Sequence, residues 1–194
     1  MTSAPGTSAP RTPANRPTPD SVRLAWPAEA AAIAELQRRS WDALPAELGT
    51  ALLRGITLAE MTEAWHLVLT RPQQATRRLL VAVEHGQIAG FATTGEAQDP
   101  DRDPVRDGEI DQFVIDPPAR HLGHGSRLLN ACADTLRADG FDRAVWWVLA
   151  SDDVLRAFLG VGGWAPDGAH REIGSDEVSV RVKQIRLHTD LTPA

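Results

Sequence analysis

The sequence predicts an α/β domain of three layers built on a mixed sheet. Three observations carry that expectation. Apolar runs of strand length alternate with stretches whose apolar residues recur at helical spacing, in the order β-α-α-β-β-β-α-β-α-β. One strand–helix–strand unit, over residues 110–149, supplies a crossover between parallel neighbours. Its second strand, Ala144-Val-Trp-Trp-Val-Leu149, is apolar without alternation, as a strand covered on both faces must be.

Residues 1–20 are rich in Pro, Thr, Ser and Ala and offer nothing to anchor a core, so a disordered tail is expected ahead of a domain at 21–191. Val22-Arg-Leu-Ala-Trp26 reads as the first strand. Pro27 then opens a helix with Ala31, Ile33, Ala34 and Leu36 at helical spacing. A second helical zone over 44–69 is interrupted by Pro45, Gly49 and Gly55 and ends before Pro72. Arg78-Leu-Leu-Val-Ala-Val-Glu84 and Ile88-Ala-Gly-Phe-Ala-Thr-Thr94 form a hairpin around His85-Gly86, and the polar stretch 95–108 is a loop. Ile110-Asp-Gln-Phe-Val-Ile115 is a strand stopped by Asp116-Pro117-Pro118. A helix over 126–138 ends at Asp139-Gly140. After Ala144–Leu149 come a short helix at 153–159, Gly162-Gly163-Trp164, and a last strand at 179–187.

Composition bounds the chemistry. Of 194 residues, 42% are hydrophobic and 24% charged, enough for one full core. No apolar run approaches the roughly 20 residues needed to cross a bilayer, so no membrane partner is expected. The opening ten residues, Met1 to Pro10, lack the charged and apolar regions of a secretory signal. The single cysteine, Cys132, excludes an internal disulfide, and a reducing cytoplasm is the expected compartment. Six histidines without ligand spacing predict no metal site. With 20 Lys and Arg against 26 Asp and Glu, the charge of −6 argues against nucleic acid as a partner and suits a cationic amine.

The residues richest in chemical information are Arg120-His121-Leu122-Gly123-His124-Gly125-Ser126, between a strand and a helix. Free backbone N–H groups and the helix dipole make such a junction an anion site. Glycines admit a pyrophosphate without a Cβ in the way, and Arg120 adds charge-assisted contacts. A P-loop needs a lysine after the second glycine, where Ser126-Arg127 stand. A dinucleotide-binding turn needs a third glycine at position 128, which is Leu128, and an acid closing the next strand, which is missing. On these residues alone, a turn with no ligand stays open.

Several pieces in a fixed order narrow the choice. Arg120-x-x-Gly123-x-Gly125, directly after Ile115-Asp116-Pro117, resembles motif A of the GNAT acetyltransferase family. Leu80-Val-Ala-Val-Glu84 with Gln87-Ile-Ala-Gly-Phe91 is similar to that family's hairpin, and residues 152–164 resemble its closing helix and Gly-Phe turn. Val22-Arg-Leu and the helix after it resemble the opening elements. The resemblance covers about residues 21–190. It implies a GNAT-type three-layer fold whose mixed, mostly antiparallel sheet has a central β-α-β crossover and a splayed pair of strands. It also implies acetyl-CoA as co-substrate and transfer of the acetyl group to a primary amine of a small molecule or peptide.

By position, the resemblance assigns the backbone of Phe113, Val114 and Ile115 to the pantetheine arm and the amides from His121 to Ser126 to the pyrophosphate. Attack on a thioester needs a neutral amine, so a base must take a proton. Glu109 and Asp111 are expected on one strand face with Phe113 and Ile115, either as that base, acting through a water, or as a solvated pair. Many relatives place a tyrosine four residues before the Gly of Gly-Phe to protonate the leaving thiolate. Leu159 stands there, and the chain has no tyrosine, which leaves Ser151, a histidine or water. The missing acid keeps a second reading open, a non-catalytic acyl-CoA-binding or regulatory protein. Dimerisation is common in the family, so a homodimer is also left open.

His121 and His124 are expected to meet the cofactor through the backbone or from the surface, and Cys132 to be a packed core thiol. Trp41 and Trp65 either wall an acceptor pocket, as the resemblance implies, or fill core. Trp146 and Trp147, on opposite strand faces, are expected in the core. The acids Asp99, Asp101, Asp103, Asp107, Glu109 and Asp111 read as a solvated loop or as an attraction for a cationic acceptor.

Overall fold

The computed structural model describes residues 21–191 except 43, 45, 176 and 177, so the tail expected at 1–20 lies outside the described residues. The strands are β1 (Ser21–Leu24), β2 (Arg78–Glu84), β3 (Gln87–Glu96), β4 (Asp107–Ile115), β5 (Arg143–Leu149), β6 (Ala165–Ser175) and β7 (Val178–Asp190). They form one sheet in the order β1-β2-β3-β4-β5-β7-β6. Every pairing is antiparallel except β4 with β5, joined by the crossover helix. The helices are α1 (Ala30–Asp42), α2 (Ala46–Gly55), α3 (Leu58–Thr70), α4 (His124–Ala138) and α5 (Asp153–Val161). None among the described residues is long and apolar enough to cross a membrane.

Alternation along β2 sorts the core into two layers. Leu80 and Ala82 pack with Ile110, Leu128, Cys132 and Trp146 on the side of α4 and α5, while Leu79, Val81 and Val83 meet Ile33, Leu36, Trp65 and Phe91 under α1 and α3. Burying each large aliphatic side chain contributes roughly 1.5–3 kcal/mol, so slipping the strand phase by one residue would forfeit both layers. Local signals fix the ends. Glu29 accepts from the Trp26 amide and pairs with Arg23, pinning the entry to α1. Thr57 and Glu60 cap the start of α3 reciprocally.

Strand β6 is absent from the sequence expectation. It sits at the sheet edge, carries Pro166, Gly168 and Gly174, and slips register between Pro166 and His170, so it shows none of the apolar alternation that marks a strand. Helix α4 starts two residues before the expected Ser126, and β4 starts at Asp107 rather than Ile110.

Strand β4 carries the feature that shapes the domain. Thr93 pairs with Gln112 and Thr94 with Ile110, which leaves Asp111 as the extra residue of a β-bulge. The Thr93 hydroxyl accepts from the Gln112 amide there. The ladder to β5 runs only from Asp107 with Arg143 to Ile110 with Trp146. Beyond it β4 stays paired with β3 and β5 with β7, so the two strands splay.

The ladder's closed end is clamped by Asp107 and Arg143, bonded at 2.6 and 2.7 Å. Burial would raise the Asp107 carboxyl, but Arg143 and the Asp103 amide hold it below its usual range. Asp107→Ala removes the carboxylate from its guanidinium partner. We expect a loss of about 3 kcal/mol, read by urea unfolding, as for other broken buried pairs. A loss under about 0.5 kcal/mol, ordinary for a surface substitution, would show the clamp is not structural.

Candidate active site

Beyond Ile110 the β5-facing edge of β4 has no strand partner among the described residues. This stretch holds Phe113, Val114 and Ile115, whose other edge pairs with Ala92, Phe91 and Gly90. Phe113 packs on Trp146, ring centroids 4.9 Å apart, where the gap opens. Toward its mouth the gap passes Ile115 and reaches the start of α4.

That start is built as an anion cradle. The backbone φ is positive at His121 (64°) and Gly123 (86°) and not at Leu122 between them, an alternation that turns successive amides to one side. No side chain caps Gly123, and the first turn of α4 carries no acid. The first helical bond runs from the Arg127 amide to the Gly123 carbonyl, leaving the amides of His124, Gly125 and Ser126 without helical acceptors. Arg120, His121, Leu122 and Ser126 are exposed around it. A Cβ on Gly125 would lie 3.7 Å from Phe158 and 3.9 Å from Ile115, so this glycine faces the gap.

His124 corrects one expectation. Its side chain is buried, so only its amide can serve the cradle. Arg127 donates to Nδ1 at 2.9 Å, and a guanidinium can only donate, so the ring proton sits on Nε2. Nε2 is 3.3 Å from a Glu84 carboxylate oxygen, within ion-pair distance but without hydrogen-bond alignment.

Glu109 sits at the apex of the splay, opposite Val145. Its side chain does not share a face with Phe113 and Ile115. The bulge at Asp111 reverses the alternation, so Ile110, Phe113 and Ile115 all pack toward α4, and Glu109 faces the other side. Burial, then the charges of Asp111 and Asp99, push the Glu109 carboxyl up to about 7, against the Gln98 amide that donates to it at 3.2 Å. Asp111 itself is bound to Arg77 at 2.6 Å. Ser151 lies in an exposed turn past the end of β5.

The expected position on α5, Leu159, is fully buried in the α4-side core, and the residue that meets the gap is Phe158. Trp65 belongs to the core, edge-on to Phe91 and donating to Gln37 at 2.7 Å, with Trp41 half-buried beside it. Cys132 is buried and its thiol pushed up to about 12, so it is inert at neutral pH.

The acidic loop is solvated only in part, with Asp101, Asp103 and Asp111 exposed but Asp99 and Asp107 buried. Asp99 is buried and accepts from the Trp147 indole at 2.9 Å, while Arg186 binds Asp99, Asp101 and Asp167 at 2.6–3.3 Å. Trp147 is accordingly half-buried under polar cover and not a core residue. No group of three or more His, Cys, Asp or Glu among the described residues could hold a metal ion.

A family model described as "Acetyltransferase (GNAT) family" matches residues 32–160. Among solved structures, the chain is similar to an N-acetyltransferase from Staphylococcus aureus Mu50, with TM-score 0.71 and 19% identity over 90% of this chain and 100% of that one. It is also similar to a putative acetyltransferase from Salmonella typhimurium solved with acetyl-CoA, with TM-score 0.68 and 17% identity over 91% and 96% of the two chains. A ribosomal-protein-alanine N-acetyltransferase from Brucella melitensis gives TM-score 0.69 and 19% identity over 87% and 98%. No curated protein matches the chain.

Full burial of Leu159 generates a prediction. Leu159→Tyr adds volume and a hydroxyl to a filled core, with an expected loss of about 1–3 kcal/mol in urea unfolding. Phe158→Tyr, at the gap, should change stability by less than about 1 kcal/mol. The opposite ranking would show that Leu159, and not Phe158, meets the gap.

Proposed function

The chain belongs to the acetyltransferase (GNAT) family, and from that premise we propose that it transfers an acetyl group from acetyl-CoA to a primary amine of a small molecule or peptide. The observation that carries this reading is one continuous gap between β4 and β5, with a raised carboxyl at its apex and uncapped amides at its mouth. The dimensions of a splayed strand edge suit an extended amide-bearing arm, and the cradle suits a pyrophosphate.

Each residue then has a task. The free edge of Phe113, Val114 and Ile115 pairs with the arm and polarises the thioester carbonyl through an aimed N–H. The amides from His121 to Ser126 and the Arg120 guanidinium hold the phosphates. Glu109 accepts the amine proton, directly or through a water. With a carboxyl near 7 it is an effective base at neutral pH, whereas an ordinary carboxylate near ~4.3 is a weak one. Burial, and after it the Asp111 charge, keep that carboxyl raised. The Phe158 side chain offers no proton to the departing thiolate, and this one feature favours the second reading, a binder without turnover. An amine panel read by thiol release separates the two.

Gly125→Val should weaken acetyl-CoA binding at least tenfold, about 1.4 kcal/mol, in calorimetric titration, because the added methyls enter the gap while the Cβ itself makes only ordinary contacts. Unchanged affinity would remove the cradle from the cofactor site.

Glu109→Gln should cost roughly 10²-fold in kcat with acetyl-CoA affinity unchanged. In the wild type, kcat should rise with pH to a plateau, with its midpoint near 7, and that limb should vanish in the variant. Stability gives an independent check. The folded carboxyl titrates near 7 against 4.5 for the free group, so the folded chain binds the extra proton between those values. Wild-type stability therefore falls as pH rises through that window, and Glu109→Gln should gain melting temperature over wild type at pH 8 relative to pH 5. A variant with wild-type kcat at every pH would end the assignment of Glu109 as base.

A further inference from the structure

The acceptor side of the proposed reaction has its own recognition group. Under α1 and α3 the Glu109 face of the sheet is closed by apolar packing, but at β5 and β7 it carries Trp147 and Arg186 beneath the loop over 97–106. Trp147 lies two residues beyond Val145, the register partner of Glu109, and so projects to the same face roughly 7 Å farther along the strand.

Two guanidiniums occupy this floor, and they differ in what they have left to offer. Arg186 is spent. Its side chain is 9% exposed, and three carboxylates, Asp99, Asp101 and Asp167, take its donors. Arg171 is held but unspent. Its guanidinium lies over the Trp147 ring, 4.3 Å from the centroid, and its Nε donates to the Gln184 side chain at 2.8 Å. Among the described residues the nearest carboxylate oxygen, on Asp99, is 3.9 Å from Nη1, within ion-pair reach but beyond hydrogen-bond distance, and Asp99 is already engaged by Trp147 and Arg186. The side chain is 44% exposed. Stacking and the Nε bond therefore fix the plane of a fork whose two terminal nitrogens stay available. That is a preorganised seat for a carboxylate, with little entropy left to lose on binding. Arg171 is also near enough for the Glu109 carboxyl to feel its charge.

The rest of the floor selects the other end of the ligand. Asp99, Asp101 and Asp167 outnumber Arg186 and Arg171 by one negative charge, which favours an ammonium group over a simple anion. We propose that Arg171 binds a carboxylate of the acceptor, so that the acceptor is an amino acid whose amine is presented to Glu109. This rests on the acetyltransferase reading for the chemistry, but not for the binding.

The test is calorimetric titration of the CoA-saturated protein with the twenty common L-amino acids, β-alanine and γ-aminobutyrate, each against its carboxamide. At least one acid should bind about tenfold or more tightly than its amide, roughly 1.4 kcal/mol. Arg171→Gln should bring that pair to within about threefold, Arg171→Lys should restore part of the difference, and acetyl-CoA affinity should not change in either. No amino acid binding, equal binding of acid and amide, or a preference that survives Arg171→Gln each overturns the inference. Thiol release on the same ligands tells the two proposals apart. Turnover of amines without carboxylate preference sinks the amino-acid assignment and leaves the transferase. Binding governed by Arg171 without turnover of any amine sinks the transferase and leaves the seat.

Discussion

Between Thr93 and Thr94, β4 runs one residue longer than its partner β3, and the surplus is Asp111. Three consequences follow from that single bulge. It ends the register that lets β4 and β5 share a ladder, because a bulged strand bends and twists away from its neighbour. It reverses the side-chain alternation, so Phe113 and Ile115 join Ile110 in the α4-side core and Glu109 is left facing the opposite side. It also sets the Asp111 carboxylate beside Glu109, where its charge adds to burial in holding the Glu109 proton. Gap and orientation share that one cause, and the raised carboxyl, set first by burial, is reinforced by it.

The bulge would be costly without support at both ends. At the closed end, Arg143 clamps Asp107. At the open end, Arg39 forks onto Asp116, tying α1 to the residue that follows β4. On the far strands the face of β5 and β7 is covered by charge. Trp147, Asp99, Arg186, Asp101 and Asp167 satisfy one another, and fully satisfied polar networks specify geometry where partly satisfied ones would cost stability. A polar cover beside the gap can present donors to a solute, which an apolar helix face cannot do.

Much of this was legible in the residues. The apolar run of β2, the hairpin at His85-Gly86 and the turn between Ile115 and α4 are written in short-range patterns, and they emerge where expected. The features that escaped are set by tertiary pairing. A bulge leaves no local mark in Ile110-Asp-Gln-Phe-Val-Ile115, because it is defined by what β3 does opposite it. Strand β6 reads as a loop, since an exposed edge strand needs no apolar face and tolerates Pro166 and Gly168. The acids over 99–107 look solvated until Arg143 and Arg186, distant in sequence, are seen to meet them. His124 sits in a turn whose sequence suggests a surface, yet its ring is buried and takes a hydrogen bond from Arg127.

The apolar α5 face bears on whether the proposed transfer needs a side-chain acid at all. A departing CoA thiol is a much weaker base than the amine that displaces it, about 8.5 against roughly 10 on the ordinary scale, so the pair differs by about 2 kcal/mol in proton affinity. The amine must lose its proton for the transfer to complete, whereas the sulfur can leave near neutral pH as a partly solvated thiolate. A base is therefore indispensable and an acid is a refinement of rate. The chain's residues follow that order of need. The Glu109 carboxyl is raised to about 7 by three separate influences, burial, Asp111 and Asp99, while α5 presents apolar Phe158 beside Gly125 and the chain has no tyrosine. In the proposed transfer, an apolar side chain lining the gap lowers the local dielectric and strengthens each aimed amide on the free edge of β4, which offsets part of what a missing proton donor costs.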